Sequence, residues 1–195
     1  MNLLYNRYIK LYILNTLHEV IKLTYAFITT GTKDFMLTLL KKFSTENLKF
    51  LRHRDHALLY HETTKKTIFQ APRRYEIIEK TGEFPDKGLA VLHYIPVVDE
   101  FRPVFEYRMK NRPKHLNTTP AFLTSRTLRP LQSNTYLIIT CWENRLHYES
   151  SKITDKIMES LGEEKSIEIN QVKMYAGPSY IREYTIGIKD DTEEA

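Results

Sequence analysis

The spacing of apolar positions changes repeatedly along the chain, between a period near two and a period near three and a half. TYAFITT is β-branched and aromatic, which predicts a strand that Gly31 ends. Thr32 can then cap a helix over DFMLTLLKKF, with Phe35, Leu39, Leu40 and Phe43 on one side. NLKFLRH, HALLYHET and KTIFQAP read as three short strands, with a turn at Lys65 and Lys66 between the last two. Pro72 opens a short helix over RRYEIIEK, which Gly82 stops.

A second series follows the loop EFPDKG. LAVLHYIPV is a strand. Asp99 caps a helix that tolerates Pro103 only in its first turn and that Pro113 forbids beyond Arg112. AFLTSRTLRP and NTYLIITCW are strands joined by the turn PLQSN. Asn144 caps a helix to about Met158, and QVKMYAG and SYIREYTIGI close the chain as strands. The order β-α-β-β-α-β is the ferredoxin-like arrangement, an antiparallel sheet with both helices on one face. The fold class is therefore α+β: a ferredoxin-like unit over residues 86–195 and a partial counterpart over 24–85. Two such sheets can pack face to face and form an α+β barrel. The gap between sheet and helices would suit a flat apolar ligand.

Residues 1–23 stand apart. Leu3, Tyr8, Leu11, Leu14, Leu17 and Ile21 fall near helical spacing, while Arg7, Lys10, Glu19 and Lys22 interrupt the run. No uncharged stretch reaches the ~20 residues of a membrane span, and no small-residue cleavage site follows. The segment reads as an amphipathic extension able to lie on the protein, a partner or a bilayer surface, or as a start site placed too early.

Composition narrows the classes. The chain has 195 residues, enough to bury a substantial core. Cys141 is the single cysteine, which excludes an intrachain disulfide and suits a reducing, cytoplasmic setting. It lies in YLIITCW, where a buried inert thiol is expected. The net charge is +5, but the basic residues are dispersed among acids. With no nucleic-acid motif, they read as a solvated face. HExxH, CxxC, GxSxG and Gly-rich phosphate loops are absent, which argues against zinc peptidase, redox dithiol, serine hydrolase and nucleotide readings. Asp55, His56, His61, Glu62 and His115 read as loop or strand-edge residues. Glu106 and Lys110 are spaced for a surface pair, and Phe101, Phe105 and Met109 for an inward stripe. Alternation along LAVLHYIPV puts Leu89, Val91, His93 and Ile95 on one face and Ala90, Leu92 and Tyr94 on the other.

ITTGTKDF, LLYHETT, IFQAPRRYEIIEKTGEF, IPVVDEFRPVFEYRMKNR and RTLRPLQSNTYLIITCWE resemble segments of the HmoB-type proteins of Gram-positive bacteria. They are similar, less closely, to the staphylococcal TRAP-like proteins. Both groups belong to the antibiotic biosynthesis monooxygenase (ABM) superfamily, with the Isd-type haem-degrading monooxygenases. The resemblance covers about Thr24 to the C-terminus. It implies haem as cofactor, oxygen-dependent ring opening and an external electron donor. It also implies a dimeric α-β barrel, formed by a homodimer or by a monomeric pseudo-dimer.

The family uses an asparagine on the first strand of the monooxygenase half, a tryptophan on the second helix and an axial histidine about ten residues later. The asparagine position, just before Tyr-Ile-Pro, is His93 here. The tryptophan position, nine residues after Trp142, is Ser151, and the histidine position is Leu161, just before Gly162. Leucine has no lone pair for iron, and serine has no aromatic face to press on a porphyrin. A register shift could bring in His147, which lies on the helix's first turn. Trp142 ends a strand and reads as core. His93 has two readings: an iron ligand from the side left for oxygen in relatives, or a core histidine bonded to a backbone carbonyl or to Glu106. The functional readings are a haem-degrading monooxygenase, a non-catalytic haem binder, and a regulatory or stress interaction protein with the same fold.

Overall fold

The computed structural model describes residues 23–111, 119–153, 155 and 174–188. The expectations for residues 1–22, His115, Leu161 and Gly162 lie outside the described residues. Among the described residues the strands are β1 Tyr25–Thr32, β2 Leu48–His53, β3 His56–Thr63, β4 Arg73–Thr81, β5 Gly88–Pro96, β6 Phe122–Pro130, β7 Thr135–Trp142 and β8 Tyr180–Ile186. The helices are α1 Lys33–Lys42, α2 Arg102–Asn111 and α3 Arg145–Ser151, with a 3₁₀ turn at Asp99–Phe101 before α2.

The strands close into an antiparallel barrel in the order β1-β3-β2-β8-β5-β7-β6-β4. That ring consists of two ferredoxin-like sheets, β4-β1-β3-β2 and β8-β5-β7-β6, whose strand orders correspond position for position. The sheets meet where β2 pairs β8 and where β4 pairs β6. A single chain thus supplies both halves, and closure removes the open edges that each sheet alone would expose.

Alternation sorts the side chains into three apolar groups. Ile28, Leu58, Leu92, Leu137, Ile139 and Ile186 belong to the cluster that fills the barrel. On the outer face of the second sheet, Val91, Ile95 and Ile138 pack with Phe105 and Met109 of α2. On the outer face of the first sheet, Phe27, Phe50 and Leu59 pack with Met36 of α1. Cys141 lies in the barrel and is buried, and burial pushes its thiol well above the usual range, as an inert cysteine requires. Trp142 is fully buried on the α2 side and donates its indole N–H to Thr140 Oγ1 at 3.0 Å.

Several local expectations are corrected. RRYEIIEK is not a helix but part of β4, which pairs β1 on one side and β6 on the other. Its Arg, Glu and Lys favour helix in isolation, but the barrel cannot close without a strand here. KTIFQAP forms no strand; it is a connection whose Phe69 is buried against His61. In α1 the buried residue is Met36, whereas Phe35 is 56% exposed. β1 continues through Gly31 to Thr32, whose hydroxyl makes no capping bond. Val98, not Asp99, occupies the cap position of the turn before α2. Asn144 does cap α3, its side chain accepting from the His147 N–H. This helix ends at Ser151 because Lys152 is left-handed at φ 47°. Residues 171–173 of QVKMYAG lie outside the described residues; in the described part, 174–177, Tyr175 makes an isolated bridge to Val97.

Candidate functional site

β5 runs through the middle of the second sheet, between β7 and β8. Its alternation places Leu89, Val91, His93 and Ile95 toward the helices, and Ala90, Leu92 and Tyr94 toward the barrel axis. His93 is 4% exposed. Its cross-strand neighbours are Ile138 and Ile181, both part of the apolar layer on the helix side. Nδ1 is buried and has no hydrogen-bond partner among the described residues. Burial pushes the imidazole down to about 4, so the ring is neutral at pH 7. A neutral imidazole with an unused nitrogen in an apolar layer is chemically competent as a ligand, and it is otherwise a desolvation cost.

Glu106 does not serve His93. It accepts from Arg129 Nε at 2.7 Å, from Arg129 Nη2 and from the Tyr136 hydroxyl. Nor does it form the expected surface pair with Lys110, because Arg129 joins it to Glu76 across the sheet. Ser151 is buried at the end of α3, and its hydroxyl donates to the Tyr148 carbonyl at 2.6 Å and accepts from the Ile153 N–H at 3.2 Å. That hydroxyl is consumed in terminating the helix. His147 is half-buried on the first turn, with a buried, unpartnered Nδ1. The described residues include no group of three or more His, Cys, Asp or Glu able to hold a metal ion. None of their helices is long and apolar enough to cross a membrane.

Two further arrangements were not legible in the sequence. Glu62, taken for a loop or strand-edge residue, lies on β3 and meets Arg126 of β6 inside the barrel. Arg126 is 1% exposed and donates Nε to Glu62 Oε2 at 2.9 Å. Its Nη1 reaches the Thr81 and Ser125 carbonyls and Thr124 Oγ1 at 3.0, 2.8 and 2.7 Å. Lys80 and the Tyr60 hydroxyl complete the carboxylate's shell, and Phe84 stacks on Tyr60 at 4.7 Å. His61, likewise expected as a loop or strand-edge residue, is on β3 and buried, with Nε2 3.5 Å from Glu46 Oε2.

The other arrangement is a group of tyrosines where β4, β5, β7 and β8 reach one end of the barrel. Tyr94 and Tyr180 stack at 4.7 Å with planes 13° apart. Tyr75 and Tyr184 are buried in the same interior cluster as Tyr94.

No family model matches the chain. It is 28% identical over 126 residues to a protein of Listeria monocytogenes named heme-degrading monooxygenase, covering 65% of this chain and 75% of that one. It is 24% identical over 171 residues to the signal transduction protein TRAP of Staphylococcus epidermidis, covering 85% of this chain and 99% of that one. A Listeria monocytogenes ferredoxin-fold structure related to antibiotic biosynthesis monooxygenases superposes with a TM-score of 0.69 at 23% identity, covering 86% of this chain and 96% of that one. The resemblance read from the sequence is thus matched by relatives and by fold.

Proposed function

We propose that this chain is a haem-linked protein of the ABM fold, with His93 as the iron ligand. One observation carries the reading: an imidazole sits on the helix-facing side of β5, buried, neutral and with an unused nitrogen. The relative named for heme degradation supports haem as the ligand class. His93 would hold the iron, and the apolar layer of Val91, Ile95 and Ile138 would exclude water around it. When bound, haem supplies oxygen chemistry that draws on an external electron donor. Degradation in the family's manner requires an aromatic ring where Ser151 stands and an imidazole at Leu161. The chain therefore fits a haem binder better than a haem-degrading monooxygenase. A cytoplasmic setting belongs to the same reading, supported by the single cysteine.

Haemin titration of the purified full chain tests this. A saturating Soret shift that is lost in His93→Ala is expected. A Soret band of wild-type shape in that variant, or no Soret change in the wild type, refutes His93 ligation. Bleaching of the band under ascorbate in air, with catalase present, would assign degradation instead of binding.

A second reading has its own support. The TRAP alignment spans 99% of that relative, against 75% for the heme-degrading one. It makes the protein a regulatory or stress interaction protein whose helix-side layer is simply core. Absence of any Soret change is its expected outcome.

A further inference from the structure

We infer a second ligand site, at the end of the barrel, that takes a small aromatic oxyanion: a carboxylate or a phosphate monoester on a planar ring. It is separate from His93, which faces the opposite side of β5. A cavity of about 420 Å³ opens where β4 begins, β5 ends, and β7 and β8 begin. That volume lies within the range of small-molecule sites, about 300–1,000 Å³.

Three features of the lining define the ligand. The first is charge. Arg73 and Arg74 are neighbours on the wall, and none of the lining residues is a carboxylate. The described residues offer neither of them an acidic partner, whereas Arg126 and Arg129, elsewhere on the barrel, are each paired. A cavity bordered by two arginines and by no carboxylate favours an oxyanion, which a guanidinium can grip bidentately.

The second feature is aromatic. Tyr94 and Tyr180 stack in the lining, and Tyr180 is 44% exposed. The Arg73 guanidinium lies 6.0 Å from the Tyr94 ring centre, and that of Arg182 lies 5.7 Å from the Tyr180 ring centre. A planar ligand can extend this alternation of rings and cations, gaining stacking where its anion meets the arginines.

The third feature is hydrogen bonding. Ser133 and Thr135 also line the cavity; the Ser133 hydroxyl accepts from the Thr135 N–H at 3.4 Å and the Thr135 hydroxyl donates to Asn134 Oδ1 at 3.2 Å. The cavity thus combines stacked rings, cationic side chains and hydroxyl-bearing residues in one lining.

The test is isothermal titration of the full chain with benzoate, with phenyl phosphate, and with benzyl alcohol as the uncharged analogue. Arg73 and Arg74 are exposed, so Arg73→Gln/Arg74→Gln removes charge without touching the core, and an unchanged thermal melt verifies folding. Saturable 1:1 binding of benzoate or phenyl phosphate is expected. The double variant should weaken it about tenfold or more, as loss of charge-assisted hydrogen bonds implies, while His93→Ala leaves it unchanged. No saturable binding of either oxyanion overturns the site. So does benzyl alcohol binding as tightly, or a double variant that binds like the wild type. Inorganic phosphate competing as well as phenyl phosphate would overturn the aromatic requirement.

Discussion

Glu62→Gln isolates the charge of the carboxylate inside the barrel while nearly preserving its shape. In the wild type, Arg126 is 1% exposed and Glu62 20% exposed at the side chain, with Nε 2.9 Å from Oε2. Without the carboxylate, Arg126 keeps only neutral acceptors: Thr124 Oγ1 and the Thr81 and Ser125 carbonyls. Removing one partner of a buried ion pair costs about 3–5 kcal/mol, because the other charge stays desolvated. Glutamine still offers a neutral acceptor, so the lower end, about 3 kcal/mol, is expected. At about 2–4 °C per kcal/mol for a chain of this size, the melting temperature should fall by roughly 6–12 °C. Glu62→Gln/Arg126→Met, which replaces the pair by a neutral one, should be less destabilised than the sum of its single variants by more than about 1 kcal/mol. Urea unfolding of the four proteins reads the single-variant cost and the coupling, and thermal melts read the temperature shift. A single-variant cost under about 1 kcal/mol, or strict additivity, would refute the argument. The pH dependence has a definite sign. Burial alone would raise the Glu62 pKa, but the hydrogen bonds and charges of Arg126 and Lys80 outweigh it and hold the group below its ordinary 4.5. The pair's contribution is thus complete above that ordinary value and is lost as pH falls through the lower folded value.

Two further outcomes follow from the second sheet. His93→Leu should flatten part of the stability profile. The folded imidazole has been pushed from 6.5 to about 4, so the unfolded chain binds more protons between those values. Wild-type stability therefore falls as pH drops through that window, by up to ~3 kcal/mol, and the variant lacks this loss. Urea unfolding at pH 7 and pH 5 checks it, and an equal slope in both proteins refutes the buried neutral ring. Gly88→Ala should destabilise by at least about 2 kcal/mol. Gly88 has φ +116°, and a Cβ there would stand 2.3 Å from the Trp142 carbonyl oxygen. A melting temperature within a degree of wild type would contradict that close approach.

Residue pattern alone determined much of the second sheet. The alternation of LAVLHYIPV fixed which side of β5 carries His93, because a strand's period of two leaves only two options. Asn144 announced the start of α3, because a cap is a local bond between a side chain and the third residue beyond it. Tertiary structure decided the rest. RRYEIIEK becomes β4 because it must bridge β1 and β6, a demand that its helix-favouring residues do not encode. Glu62 and Arg126 are 64 positions apart, so their union inside the barrel rests on strand order. The tyrosines and arginines at the barrel mouth come from β4, β5 and β8, and β4 reaches the paired β5 and β8 only on closure. Local spacing records the faces of each strand. Which faces converge depends on long-range pairing, which no short window of residues contains.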